Sequence, residues 1–290
     1  MVKTVIFDGR ARAKQDLERL AAKVKLLAQP PEIVSFFCPD DRGSALYTRM
    51  KAAKAQEVGI KFVAEPFKFD DDLQVIVQRI KKAASEKDAI GIITQKPTKN
   101  SHFEYFLSTT GKEPDLPFEQ WWEQLVAAVP EKNDIDGLTP TVQAKLERGE
   151  KVKVLPATVQ AVLKVTENLD LQRLKVLIIG QSDLLGQPLF WYWRAQGIAV
   201  ELIGQQALEQ KLASPEQLKP YELIVSATGV PKLIKGAMIA EGVALIDVGE
   251  PQADVEVESC LGKASLITPV PGGIGPLTIV SLLENSLLLR

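Results

Sequence analysis

The stretch Lys175-Val176-Leu177-Ile178-Ile179-Gly180-Gln181-Ser182-Asp183-Leu184-Leu185-Gly186 decides the fold. A run of consecutive apolar residues predicts a short strand buried on both faces, and Gly180 opens a tight turn into a predicted helix over 185–196. Outward from there, 199–203, 223–227 and 244–248 read as three further strands of the same kind. Strands alternating with helical spacers build parallel βαβ units, here a doubly wound sheet of the nucleotide-binding (Rossmann) type.

The amino-terminal half repeats the grammar on a smaller scale. Helical spacing of Leu17, Leu20, Ala21, Val24 and Leu27 predicts a helix over 11–27. Strands are expected at 33–37, 60–64 and 89–94, with helices over 44–58 and 70–85 between them. The chain is therefore expected to be a two-domain α/β protein. A three-layer α/β domain takes 1–142 and is completed by a carboxy-terminal helix in 276–290; a Rossmann-type nucleotide-binding domain takes 143–275. Residues 97–133, with four prolines and the pair Trp121-Trp122, read as a long surface insertion carrying one short helix near 118–129. The only histidine, His102, lies in it and is expected at the surface. The tryptophans are expected to pack the insertion onto the body.

Composition narrows the classes of function. Of 290 residues, 46% are hydrophobic and 25% charged, the balance of a globular protein. Thirty-five basic against 37 acidic side chains leave a net charge of −2, so neither nucleic acid nor an anionic membrane surface is an expected partner. No stretch reaches the roughly 18 uninterrupted apolar residues of a spanning helix, and the first residues do not read as a secretory leader. Cys38 and Cys260 lie far apart and form no metal-spacing motif. A bound metal and a disulfide are both unexpected, and the reducing cytoplasm is the expected compartment.

Three places hold the chemistry. Gly180-Gln181-Ser182, with Gly186 at the helix start, sets backbone amides and a helix amino terminus where a phosphate can be bound; strand-to-helix turns also need glycine for steric reasons alone. Tyr47 and Lys51 stand four apart on a predicted helix and so project from one side of it. Thr268-Pro269-Val270-Pro271-Gly272-Gly273-Ile274-Gly275-Pro276-Leu277-Thr278 packs three prolines and three glycines into eleven residues, a rigid loop that presents main chain to a flat ligand.

That last string resembles the signature loop of the bifunctional methylenetetrahydrofolate dehydrogenase/methenyltetrahydrofolate cyclohydrolase (FolD) family, and further landmarks follow in order. Ser44-Ala45-Leu46-Tyr47-Thr48-Arg49-Met50-Lys51 is similar to the family's S-x-x-Y-x-x-x-K. Gly91-Ile92-Ile93-Thr94-Gln95-Lys96-Pro97 is similar to its G-I-L-V-Q-L-P, and Asp134-Ile135-Asp136-Gly137 to its D-V-D-G. The resemblance spans nearly the whole chain. It implies oxidation of 5,10-methylenetetrahydrofolate to the 5,10-methenyl form, and hydrolysis of that to 10-formyltetrahydrofolate. It also implies site roles. Lys51 is the general acid/base, Gln95 its hydrogen-bonding partner, Tyr47 a stacking surface for the aminobenzoyl group and Asp136 the acceptor for the pterin. Pro271, Gly272 and Gly273 line the substrate. Gly180, Gln181, Ser182, Gly186, Gln205 and Glu250 face the dinucleotide. Lys96 and Lys99 are candidates for the folate glutamate tail, or for a solvated rim. Members are commonly homodimers.

Departures gather at the dinucleotide site. Gln181 stands where the family has an arginine that helps to hold the NADP 2′-phosphate, Gly204-Gln205 where it has His-Ser, and Glu250 where it has an apolar residue. Losing a charge-assisted contact costs about 1.5–3 kcal/mol. Weakened NADP binding, NAD in its place and loss of dinucleotide binding all fit, so a cyclohydrolase with a relic cofactor domain and a non-catalytic folate-binding protein stand as alternatives to the bifunctional enzyme.

Overall fold

The computed structural model describes residues 2–86 and 89–290. They form two compact units. One holds the chain up to Gln15 with Lys145–Lys151 and Pro156–Ser281; the other holds Asp16–Ala144, Val152–Leu155 and Leu282–Arg290. Both have parallel sheets, as the α/β reading requires.

The larger unit carries a six-stranded sheet in the order β1-β9-β8-β7-β5-β6. Its strands are β1 (Val5–Ile6), β5 (Val176–Ile179), β6 (Val200–Ile203), β7 (Leu223–Ser226), β8 (Ala244–Asp247) and β9 (Leu266–Ile267). Every residue of β5, β7 and β8 is buried, which is why these strands show no polar alternation. Helix α8 (Gly186–Ala195) follows β5 and α9 (Gln205–Ala213) follows β6. The chain moves outward from β5 to β6, then returns across β5 to β7. That reversal makes a switch point at the carboxyl ends of β5 and β7, where such sheets bind ligands. Helices α7 (Ala157–Thr166) and α10 (Val257–Cys260) complete the unit's packing. Two short strands, β1 and β9, pair through Val5 with Leu266 and Ile6 with Ile267, and so bring the amino terminus to this sheet.

The smaller unit has the order β3-β2-β4, with β2 (Glu32–Phe37), β3 (Lys61–Pro66) and β4 (Ala89–Thr94). Helix α2 (Arg42–Glu57) joins β2 to β3, and α3 (Leu73–Ser85) joins β3 to β4. The direction of crossing reverses between them, so with right-handed connections the two helices cover opposite faces. On the α3 face, Val34, Phe36 and Ile92 pack with Ile76 and Ile80. Helix α6 (Pro140–Glu147) follows this unit's last loop, while α1 (Gly9–Lys25) and α11 (Ile274–Leu288) each begin in the six-stranded unit and end in this one.

The expected surface insertion is instead part of this core. It forms two helices, α4 (Lys99–Thr110) and α5 (Phe118–Ala127). Trp121 and Trp122 are buried in the same cluster as Phe67 and Phe69. His102 is not at the surface. It is 2% exposed, with ring centroids of Phe69, Phe106, Phe118 and Trp121 within 5.0–5.5 Å of its own. Desolvation lowers its pKa, against a smaller opposing pull from Glu119. Cys38 and Cys260 are buried free thiols. Among the described residues no helix is long and apolar enough to cross a membrane.

Candidate active site

Helix α2 is set by its cap. Asp41 accepts a hydrogen bond from Ser44 N at 2.6 Å, and its other carboxylate oxygen accepts from Thr98 N and Thr98 Oγ1. One carboxylate thus starts α2 and ties it to the segment that follows β4. The buried face of α2 is Ser44, Thr48, Lys51 and Ala55. Lys51 is therefore directed inward, only 6% exposed, and Tyr47 stands one turn before it, half-buried.

Gln95 extends β4 by one hydrogen bond, its N donating to Phe36 O at 2.8 Å. Its side chain meets Lys51, whose Nζ donates to Gln95 Oε1 at 2.9 Å. Asp136 Oδ2 lies 3.7 Å from the same Nζ. A lysine nitrogen, a carboxamide and a carboxylate thus share one pocket of the three-stranded unit, although 44 residues separate Lys51 from Gln95.

The Asp136 loop is held by residues to which the sequence reading gave no role. Asp134, buried, accepts from Gly137 N at 2.8 Å and Leu138 N at 3.3 Å on one oxygen, and from Thr139 N at 2.9 Å on the other. Burial pushes its carboxyl above the usual range, with the Thr139 and Leu138 hydrogen bonds opposing. Asn133 Nδ2 donates to Ala89 O at 3.0 Å, and Asn285 Nδ2 donates to Ile135 O at 2.8 Å. Gly91 leaves room for Ile135: a Cβ there would lie 2.7 Å from Ile135 Cδ1. The polar residues Asp134, Asn133 and Asn285 gave only one local signal, the D-x-D-G turn itself.

Lys96 and Lys99 have partners inside their own unit. Lys96 Nζ lies 5.3 Å from the Trp122 ring centroid, and Lys99 pairs with Glu119 at 2.6 Å.

In the six-stranded unit the residues expected at a dinucleotide gather along the carboxyl ends of the strands. Gly180 has φ +112°, and a Cβ on it would come within 2.6 Å of Ala227 O, across the switch point. A Cβ on Gly186 would overlap the carbonyl oxygen of Gly180. The turn 180–186 is thus tightly wound glycine backbone, and no side chain caps the amino terminus of α8. A ten-residue helix whose amino terminus no side chain caps fits a pyrophosphate. Ser182 lies in this turn, and Gln205 heads α9 with its Nε2 bonded to Glu209 Oε1 at 3.1 Å. Glu250 follows β8; its carbonyl oxygen lies 2.5 Å from where a Cβ on Gly229 would be, and desolvation raises its carboxyl pKa.

The loop after β9 packs by backbone. A Cβ on Gly9 would overlap Gly273 O, and one on Gly272, whose φ is +108°, would lie 3.3 Å from Arg10 Nε. Pro271, Gly272 and Gly273 therefore sit beside the start of α1, and Arg10 joins the candidate site as a residue that sequence reasoning missed.

The chain is similar to known proteins along nearly its whole length. Residues 155–289 match the family model described as tetrahydrofolate dehydrogenase/cyclohydrolase, NAD(P)-binding domain, and residues 7–110 match the corresponding catalytic domain. The bifunctional protein FolD of Mycoplasmopsis synoviae is 33% identical over 298 residues, covering 97% of each chain. That of Hydrogenobaculum sp. is 30% identical over 291 residues, again covering 97% of each. The crystal structure of the bifunctional FolD methylenetetrahydrofolate dehydrogenase/cyclohydrolase from Campylobacter jejuni aligns with a TM-score of 0.84 at 26% identity, covering 98% of this chain and 97% of that one. End-to-end likeness in sequence and in fold places the chain in the tetrahydrofolate dehydrogenase/cyclohydrolase family.

Proposed function

We propose that this protein serves one-carbon folate metabolism as a bifunctional enzyme, oxidising 5,10-methylenetetrahydrofolate to the 5,10-methenyl form and hydrolysing that to 10-formyltetrahydrofolate. The observation that carries the hydrolytic half is the meeting of Lys51, Gln95 and Asp136 in one pocket. Water adds to the methenyl carbon, and Lys51 Nζ, acting as the neutral amine, takes one of its protons. The bond from that carbon to N5 then breaks with its electron pair passing to N5, and Lys51 returns the proton there. The adduct's hydroxyl proton leaves to solvent. The formyl group stays on N10 and one proton is released overall. Gln95 fixes the direction of the amine throughout, which shortens the search for reactive geometry. Asp136 accepts from the pterin's donor edge, and Tyr47 offers its ring to the aminobenzoyl group.

For the redox half, a bound dinucleotide supplies the hydride acceptor. Gly180, Ser182 and the first turn at Gly186 would hold its pyrophosphate. Gln181 and Gln205 would face its adenosine ribose, and Glu250 with Pro271, Gly272 and Gly273 would border the reacting end. Family membership supports this half, as does the glycine turn at the switch point.

Both half-reactions are assayed on one purified sample, by formation of reduced nicotinamide and by loss of methenyltetrahydrofolate absorbance. Lys51→Gln is expected to slow hydrolysis by about 100-fold or more and to leave dinucleotide binding unchanged. Hydrolysis at an unaltered rate in that variant overturns the assignment of Lys51. The protein is further proposed to act in the cytoplasm as a homodimer, with folates rather than nucleic acid or membrane as its partners. Its two buried, unpaired thiols and its near-balanced charge support that reading.

A further inference from the structure

The end of β6 is where a doubly wound sheet meets the adenosine ribose, and a residue there commonly decides whether a 2′-phosphate is welcome. In this chain β6 runs into Gly204, and the Gln181 side chain lies over that glycine: a Cβ at Gly204 would be 2.6 Å from Gln181 Oε1 and 3.2 Å from its carboxamide carbon. The two segments that frame this corner, 180–187 and 203–210, contain no lysine or arginine but do contain Asp183 and Glu209. The next cation along α9, Lys211, is committed elsewhere. It pairs with Glu201 at 3.0 Å and lies 5.2 Å from the Tyr221 ring centroid. Arg194, at the end of α8, donates to Glu147 O. A phosphomonoester brought here would meet a neutral carboxamide and the field of two carboxylates, whereas a ribose hydroxyl would meet a ready acceptor.

We infer that this site selects the dinucleotide whose ribose 2′-hydroxyl is free, NAD over NADP, and that Gln181 laid over Gly204 is the residue that determines the choice. The inference rests on the reading that the six-stranded unit binds a dinucleotide, and it adds which one. A 2′-phosphate loses the charge-assisted contacts that would repay its desolvation and is repelled by like charge. The hydroxyl form loses nothing.

Isothermal titration of the full chain with NAD+ and with NADP+ tests this without reference to turnover. The expected Kd for NAD+ is at least tenfold below that for NADP+, with the gap shrinking at high salt as screening weakens the repulsion. A second pair of probes, adenosine 5′-monophosphate and adenosine 2′,5′-bisphosphate, isolates the 2′ position, and the monophosphate is expected to bind more tightly. Gln181→Arg is expected to tighten NADP+ about tenfold or more and to weaken NAD+, whose 2′-hydroxyl loses its acceptor. Equal or tighter binding of NADP+ by the unsubstituted protein, or an unchanged ratio in a folded Gln181→Arg variant, overturns the inference and leaves the dinucleotide reading standing. Failure of either dinucleotide to bind at millimolar concentration removes that reading, and the inference with it.

Discussion

Asn285 Nδ2 donates to the carbonyl oxygen of Ile135 at 2.8 Å, so a residue near the end of α11 holds the backbone immediately before Asp136. The same nitrogen donates to Leu155 O at 3.1 Å, and Asn285 is fully buried. The carboxy-terminal helix thereby fixes the loop that brings a carboxylate to Lys51. Asn285→Leu keeps the volume and removes both donors. Loss of buried hydrogen bonds of this kind costs about 1–3 kcal/mol, which urea denaturation would read as a lower midpoint with an unchanged slope. With the loop less constrained, KM for methenyltetrahydrofolate is expected to rise more than kcat falls. A variant as stable and as tightly binding as the parent would refute the tether.

Gly91 and Ile135 make a second, purely steric, link to the same loop. A Cβ at Gly91 would meet Ile135 Cδ1 at 2.7 Å and Cγ2 at 2.8 Å, and Ile135 is fully buried. Gly91→Ala is expected to destabilise by about 1–3 kcal/mol through overpacking. Ile135→Val alone costs about 0.5–1.5 kcal/mol. Because the smaller side chain makes room for the new methyl group, the double variant should be less destabilised than the sum of the two. Strict additivity in thermal or urea melts would contradict the contact.

These two links mark where the sequence stops being legible. The strands β5, β7 and β8 are readable because each opens with at least three consecutive apolar residues, and β2 through β4 because helices of ordinary length separate them. The two-residue strands β1 and β9 carry no period to detect. Helix α9, with Leu208 as its only buried residue, lacks an apolar stripe. In the site, Tyr47 and Lys51 are legible as neighbours on a helix. Their meeting with Gln95 and Asp136 depends on tertiary contact, and only the family resemblance pointed to it. Nothing local marks Asn285 as a partner of Ile135, 150 residues away. His102 misled for the opposite reason. The residues just before it, Lys99-Asn100-Ser101, are polar, while the rings around it come from Phe69, from Phe106 on its own helix and from α5.

His102 gives the fold a sensitivity to acid. Burial lowers its pKa, so between the ordinary histidine value near 6.5 and the lowered one the unfolded chain binds more protons than the folded chain. The His102 contribution to stability is therefore full above about pH 6.5 and is lost as pH falls through that window. Glu119 on α5 opposes the shift without reversing it. His102→Phe keeps a ring in the aromatic cluster and removes the titration. Its stability is expected to fall less than the parent's between about pH 6.5 and pH 5, measured as urea midpoints. An identical slope in the two proteins would show that other groups set the acid limb.

Asp247 works in the other direction. It is fully buried and receives hydrogen bonds from Gly249 N at 2.9 Å, Asp254 N at 3.2 Å and Val255 N at 2.8 Å. Those bonds shape the loop that carries Glu250. Desolvation outweighs the three donors and raises the carboxyl from 3.8 to about 6, with Asp254 adding a smaller push. Across that interval the folded chain binds more protons than the unfolded one, so this group's contribution falls as pH rises from about 4 to about 6 and is flat above. A shift of that size is about 3 kcal/mol between the two ends. Asp247→Asn removes the titration but turns a donor toward one of the backbone N–H groups. The variant should lose the decline between pH 4 and 6 and be less stable than the parent at pH 4, where the parent's carboxyl is neutral and its oxygens still accept from the backbone N–H groups. If the variant keeps the decline, the titrating group in that window is not Asp247.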